Sequence, residues 1–285
     1  MLNHEWSLLF FTVLSQFSAG IMIALMGFLF FKNKIKEKRS EVFLRTSLLI
    51  AFFAMAVALV LSFFHLNQPL SSVYALSNIK TSWLSREIIT ASIFLFFTTL
   101  ATLVFYLRKS PATVKAMCVL SAVAGILFVF SMAKIYMIPT VPPWNTPATV
   151  TAFFSTALLL GPLLVLILFS KSIKKSLNEI VTDRYFVLLI SLIIIALFEK
   201  VISTLFFTPV VSIHEAGFQP QQIPMAFLMV RWVLLLVGIC LMAISLLRKT
   251  YNKSETILWI VFLCFAVSEI IDRVMFYASY YRIGL

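Results

Sequence analysis

Eight stretches of about twenty mostly apolar residues follow one another along the chain, separated by polar links. They lie near Trp6 to Phe31, Phe43 to His65, Ile88 to Leu107, Ala116 to Ile138, Val150 to Phe169, Tyr185 to Phe207, Ala226 to Leu247 and Thr256 to Tyr277. A helix rising ~1.5 Å per residue needs about 20 such residues to cross roughly 30 Å of hydrocarbon, so each run predicts a transmembrane helix. A β-barrel would instead need ~10-residue segments of alternating polarity, whereas these runs are apolar on every face. Lipid offers no partner for an unpaired backbone group, which leaves helices. The expected fold is an all-α integral membrane protein, a bundle of eight transmembrane helices forming one polytopic domain over residues 1–285. The first run is expected to stay in the mature protein: no Lys or Arg precedes it, it is too long for a signal core, and positive charge follows it.

Composition strengthens this reading. Of 285 residues, 61% are hydrophobic and 12% charged, where a soluble domain would be ~25% charged. With 29 Phe and only 7 Gly and 10 Pro, disorder and collagen-like repeats are excluded as well. No repeat of 20 to 50 residues is evident.

The net charge of +12 could point to nucleic acid, but its distribution points to topology. The links after the first, third, fifth and seventh runs carry Lys32, Lys34, Lys36, Lys38, Arg39, Arg45, Arg108, Lys109, Lys115, Lys171, Lys174, Lys175, Arg184, Arg248, Lys249 and Lys253. The opposite side carries only Lys80, Arg86 and Arg282. The positive-inside rule therefore places both termini in the periplasm. The basic charge is read as topology plus attraction to anionic lipid, with no nucleic-acid partner.

The periplasmic links, Leu66 to Glu87, Pro139 to Thr149 and Thr208 to Met225, hold more Pro, Ser, Asn and aromatic residues than the basic turns. Chemistry is expected on this side. Seven ionisable residues fall within runs: Lys134, Glu199, Lys200, Arg231, Glu269, Asp272 and Arg273, all in the outer half of their helices. Each would cost about 2.5 to 3.5 kcal/mol at mid-bilayer if unpartnered. One reading is an ion-pair network tying the fourth, sixth, seventh and eighth helices together, with Glu269 and Arg273 at helical i, i+4 spacing. The other is a polar lining for proton release or a ligand head group. The pattern leaves both open.

All three histidines also lie on the outer side. His65 ends the second run and Glu87 precedes the third, so hairpin neighbours would bring imidazole and carboxylate to one level, with Arg86 beside them. Such groups accept protons near neutral pH, as quinol oxidation demands. Matched histidine pairs for haem are missing, and Cys118, Cys240 and Cys264 stand singly without iron–sulfur spacing. No haem, iron–sulfur cluster, molybdenum or other metal is expected in this chain.

These residues resemble the membrane anchor subunit of dimethyl-sulfoxide-reductase-type molybdoenzymes, the DmsC family. The resemblance runs from His4-Glu5-Trp6 through His65-Leu66, Pro69 and Leu84-Ser85-Arg86-Glu87 to Thr140-Val141-Pro142-Pro143-Trp144 and Asn145-Thr146-Pro147. It closes with Glu269-Ile270-Ile271-Asp272-Arg273 and Phe276-Tyr277. One departure is Asp272, where the family is similar but carries a small residue. The resemblance implies a bacterial inner-membrane anchor with two periplasmic partners, a four-cluster ferredoxin-like iron–sulfur subunit and a molybdopterin catalytic subunit. It implies menaquinol as bound substrate, with the family's quinol-oxidising histidine and glutamate mapping onto His65 and Glu87. The terminal acceptor would be set by the catalytic subunit.

The expected quinol site accordingly comprises His65, Arg86, Glu87, Arg231 and Glu269, with His65 and Glu87 handling protons. Pro142, Pro143, Trp144 and Pro147 are expected to dock the iron–sulfur subunit or, alternatively, to form a rigid interfacial turn. The competing class is a secondary transporter using the embedded charges, with Gly161-Pro162 as a helix kink. Against it, the charges gather in one leaflet rather than at the midplane.

Overall fold

The computed structural model describes residues 6–31, 38–65, 78–172, 179–207, 225–248 and 255–280. Among them are eight helices: α1 (Trp6–Phe31), α2 (Lys38–His65), α3 (Trp83–Tyr106), α4 (Pro111–Tyr136), α5 (Pro147–Ser172), α6 (Glu179–Phe207), α7 (Met225–Leu247) and α8 (Thr256–Ala278). Seven are long and apolar enough to cross a membrane by length and composition. The exception, α8, carries Glu269, Asp272 and Arg273 in its second half.

α3 and α4 begin earlier than their apolar runs because polar residues cap them. Ser82 accepts a hydrogen bond from the Ser85 amide and starts α3 at Trp83. Ser110 accepts from the Thr113 amide, and Pro111 needs no amide partner in the first turn of α4. Glu87 therefore lies within α3 rather than ahead of it. The tight turn after α3 has Arg108 at φ 51, with Arg108 donating to the Phe105 carbonyl (3.1 Å) and Lys109 to that of Val104 (3.0 Å). That is the closure a glycine normally makes.

α1 and α5 form the buried centre. α1 packs on α2, α4, α5, α6 and α8, α3 pairs with α4, and α7 reaches the bundle mainly through α8. Lipid tails give helices no hydrophobic reason to associate, so close backbone approach has to supply the attraction. Gly20 and Gly161 supply it: a Cβ on Gly20 would overlap the Ala157 carbonyl, and one on Gly161 would overlap the Gly20 backbone. α5 continues through Gly161 and Pro162 to Ser172 without interruption.

At the basic end the core is carbon. Phe28, Phe43, Phe169 and Tyr185 meet edge to face, with centroids 4.9 Å (Phe28 to Phe43), 5.2 Å (Phe28 to Tyr185) and 5.0 Å (Phe169 to Tyr185) apart. The Tyr185 hydroxyl donates to the Ala24 carbonyl at 2.9 Å.

Candidate functional site

The opposite end is polar. Lys200 of α6 is 1% exposed and lies between two α8 carboxylates, 2.9 Å from Glu269 and 2.8 Å from Asp272. Arg231 of α7 reaches the other Asp272 oxygen at 3.0 Å. Thr156 of α5 donates to Glu269 at 2.6 Å. Arg273 donates to Gln16 of α1 at 3.0 Å and to Thr156 at 3.4 Å, and its guanidinium stands 3.9 Å from the centre of the Phe153 ring. Buried ions persist only where partners replace their lost hydration, and here five helices contribute the partners.

The geometry changes two expectations. Glu269 and Arg273 make no direct ion pair among the described residues; both turn to Thr156, which sits between them. Lys134 of α4 stands outside the network. Its ammonium reaches Met137 Sδ at 3.4 Å and lies 5.6 Å from the centre of the Trp83 ring. Glu199 accepts from Thr151 at 2.7 Å, tying α6 to α5 beside the main cluster.

Sequence reasoning passed over the uncharged members. Thr12, Gln16, Thr156, Tyr136 and Tyr277 are as buried as the ions they serve. The Tyr136 and Tyr277 hydroxyls are 3.0 Å apart, and Tyr277 donates to Thr12 at 3.4 Å. Gln16 completes its amide by donating to Met132 Sδ at 3.5 Å. The available signal was a cluster of polar residues in the first run, Thr12, Ser15, Gln16 and Ser18, with Thr12 and Gln16 four apart on one helix face.

Glu87 lies one turn inside α3 and is 9% exposed. No described residue donates a hydrogen bond to its carboxylate, and α3 packs antiparallel on α4, whose last residue is Tyr136. It thus borders the same polar end. His65 is the last residue of α2; its side chain lies outside the described residues. α2 packs against α3, and the side-chain contact described between them, Arg45 with Tyr106, lies at their other ends. Arg86 is turned from Glu87 toward the preceding turn, donating to the carbonyls of Ile79 at 2.9 Å and Lys80 at 2.7 Å with its guanidinium 4.2 Å from the Trp83 ring centre.

Between α4 and α5 the backbone folds into tight turns, with Trp144 and Asn145 both donating to the Val141 carbonyl at 3.0 and 3.1 Å. The Trp144 ring is 8% exposed and points inward. It stacks on Phe276 with 5.2 Å between centroids and donates to the Phe276 carbonyl at 2.8 Å. The Trp144 side chain is therefore spent inside the protein, closing the polar end over α8, and is not itself a docking surface. Pro142 and Pro143 are half-buried, and the segment turns Asn145 and Pro147 outward.

The sequence pattern of the DMSO reductase anchor subunit family, DmsC, matches residues 1–279, which include all eight helices. The protein belongs to this family. Among DmsC relatives it is 31% identical over 288 aligned residues to the YnfH subunit of an anaerobic dimethyl sulfoxide reductase of Escherichia coli (strain K12), an alignment that takes in 99% of its own length and 97% of the relative's. It is 30% identical over 289 residues to the C subunit of anaerobic dimethyl sulfoxide reductase from the same organism, again with 99% and 97% of the two lengths aligned. The C subunit of the Haemophilus influenzae enzyme is similar over 159 residues at 28% identity, with 55% and 56% of the two lengths aligned. The DmsC match spans both Glu87 and the α8 charges, and with the apolar helices it makes this an integral membrane protein.

Proposed function

We propose that the protein is the membrane anchor of a DMSO-reductase-type molybdoenzyme complex and that it oxidises menaquinol for anaerobic respiration. In this reading all eight helices cross the bacterial inner membrane with both termini periplasmic. The polar end faces the periplasm, where the four-cluster iron–sulfur subunit and the molybdopterin catalytic subunit sit.

The observation that carries the reading is Glu87: a buried carboxylate at the end of the α3 hairpin with α2, beside a polar end otherwise closed by Trp144. A carboxylate withdrawn from water, with no hydrogen-bond donor among the described residues, suits taking a proton from an amphiphile arriving between helix ends. Menaquinol enters between helix ends and one hydroxyl is held at His65 and Glu87. Its protons leave to the periplasm and its two electrons pass to the iron–sulfur subunit. Lys200, Arg231, Glu269 and Asp272 pair with one another, so Arg231 and Glu269 serve this site by holding α6, α7 and α8 in place. Exposed Pro147 belongs to the docking surface.

The test is binding of a fluorescent quinol-site inhibitor to membranes containing the intact complex, comparing wild type with His65→Ala and Glu87→Gln at equal assembly. Lost binding and lost quinol oxidation, with an artificial donor still driving the catalytic subunit, supports the site. Retained binding and turnover in both variants removes it from these helix ends and points to Arg231 and Glu269.

A further inference from the structure

A groove of about 570 Å³ runs along α2 where it meets α1, lined by exposed apolar side chains of the kind that meet lipid. Leu49, Phe53 and Val57 line it from α2 and Leu14 closes it from α1, while Arg45 and Thr46 stand at one end. The α2 positions recur at intervals of three and four, which places them on one helix face. From Arg45 to Val57 the groove follows ~18 Å of helix at ~1.5 Å per residue, close to half of a roughly 30 Å hydrocarbon core. It has the length of one leaflet.

Its polar end is built. Arg45 is exposed, yet its Nε donates to the Tyr106 hydroxyl at 2.9 Å and its guanidinium lies 5.2 Å from the centre of that ring. Tyr106 thus fixes the plane of the guanidinium, and no described residue accepts from the two terminal nitrogens. An arginine held this way offers two parallel donors at no further ordering cost, the geometry that a phosphate accepts. Arg108 and Lys109 follow Tyr106 in the next turn, while Glu41, one helical turn before Arg45 on α2, makes no ion pair with it among the described residues.

We propose that this groove is a binding site for an anionic phospholipid, with one acyl tail against α2 and the phosphate on Arg45. The apolar wall excludes a water-soluble anion, because such a ligand would leave Leu49, Phe53 and Val57 uncovered. A quinol would cover the wall but leave the guanidinium without a charge. A zwitterionic lipid offers the phosphate together with its own cation, which Arg45 repels, whereas a basic residue near the surface favours a net negative head group by about 1 kcal/mol. The site is independent of the quinol reading, since its lining includes none of His65, Arg86 and Glu87 and its polar end is Arg45, twenty residues before His65.

The experiment uses the intact complex purified in mild detergent and returned to nanodiscs of phosphatidylcholine with a minor fraction of phosphatidylglycerol. Bound lipid is counted by native mass spectrometry after re-extraction. The wild type should retain one phosphatidylglycerol per anchor subunit in preference to phosphatidylcholine. Arg45→Gln should lower that retention about 10-fold, the loss of a charge-assisted bidentate contact. Tyr106→Phe keeps the charge but frees the side chain, and should lower it about 3-fold, as for one ordinary hydrogen bond. Both positions are exposed, and co-purification of the soluble subunits reports that each variant assembles. Equal retention in wild type and Arg45→Gln would overturn the proposal, as would equal retention of phosphatidylcholine or recovery of quinone in place of phospholipid.

Discussion

The two ends of this bundle solve the same packing problem with opposite materials. At the basic end, Phe28, Phe43, Phe169 and Tyr185 interlock through ring edges, and one hydroxyl is satisfied by one carbonyl. At the other end, Lys200, Arg231, Glu269, Asp272 and Arg273 are joined through Thr156 and Gln16 and roofed by Trp144. Aromatic packing fails gradually, a methylene at a time. An ion cluster fails abruptly, because removing one member leaves the others charged and dry. The abrupt end borders Glu87, which is where a proton-handling site needs a fixed scaffold.

The contrast is tested most severely by function. Glu87→Gln should reduce quinol-dependent turnover by about 100-fold or more, the usual loss on removing a proton acceptor, and leave electron supply from an artificial donor unchanged. An equal loss with both donors would assign Glu87 to assembly instead. Lys200→Met, which leaves Glu269 with only the Thr156 hydroxyl and no cation, should destabilise the subunit by about 3 to 5 kcal/mol, read as loss of the complex from detergent extracts. Tyr185→Phe at the carbon end removes one hydrogen bond and should cost only about 1 kcal/mol. Equal losses in these two variants would erase the difference between the ends.

Between them, Gly20→Ala tests the α1 to α5 crossing that holds both ends in register. With backbone on the far side and nothing flexible to yield, it should cost about 1 to 3 kcal/mol and lower the thermal midpoint of the purified complex. The smallest effect belongs to the turn after α3. Arg108→Gly relieves a left-handed residue and should stabilise by about 1 kcal/mol; an unchanged midpoint would mean that the arginine's charge matters more there than its backbone.

Much of this architecture was legible in the residue order, because bilayer crossing is a one-dimensional requirement. About twenty apolar residues make a span whatever surrounds them, and the eight runs correspond to eight helices. The errors lie at helix starts, where Ser82 and Ser110 cap helices that hydropathy alone begins too late. The charged residues were identifiable from sequence as a set gathered at one end of the bundle, but their pairing was not. Spacing on α8 suggested Glu269 with Arg273, whereas Lys200 and Thr156, from other helices, take Glu269 instead. Trp144 shows the same limit: a tryptophan at an interface can face lipid, partner or core, and only the position of Phe276 turns it inward.

Composition and residue order were enough for the class, the number of helices, the side on which chemistry is expected and, through resemblance, the family. Each follows from counting along one helix, where every position is a fixed rise and rotation from the next. Folding in three dimensions was needed to say which charge meets which, that Thr12, Gln16, Tyr136 and Tyr277 belong to the polar end, and that Arg86 serves a turn. Those outcomes depend on how helices rotate and stagger against one another. That choice is made by close contacts such as Gly20 against Gly161, two residues far apart in sequence whose missing side chains let α1 and α5 touch backbone to backbone.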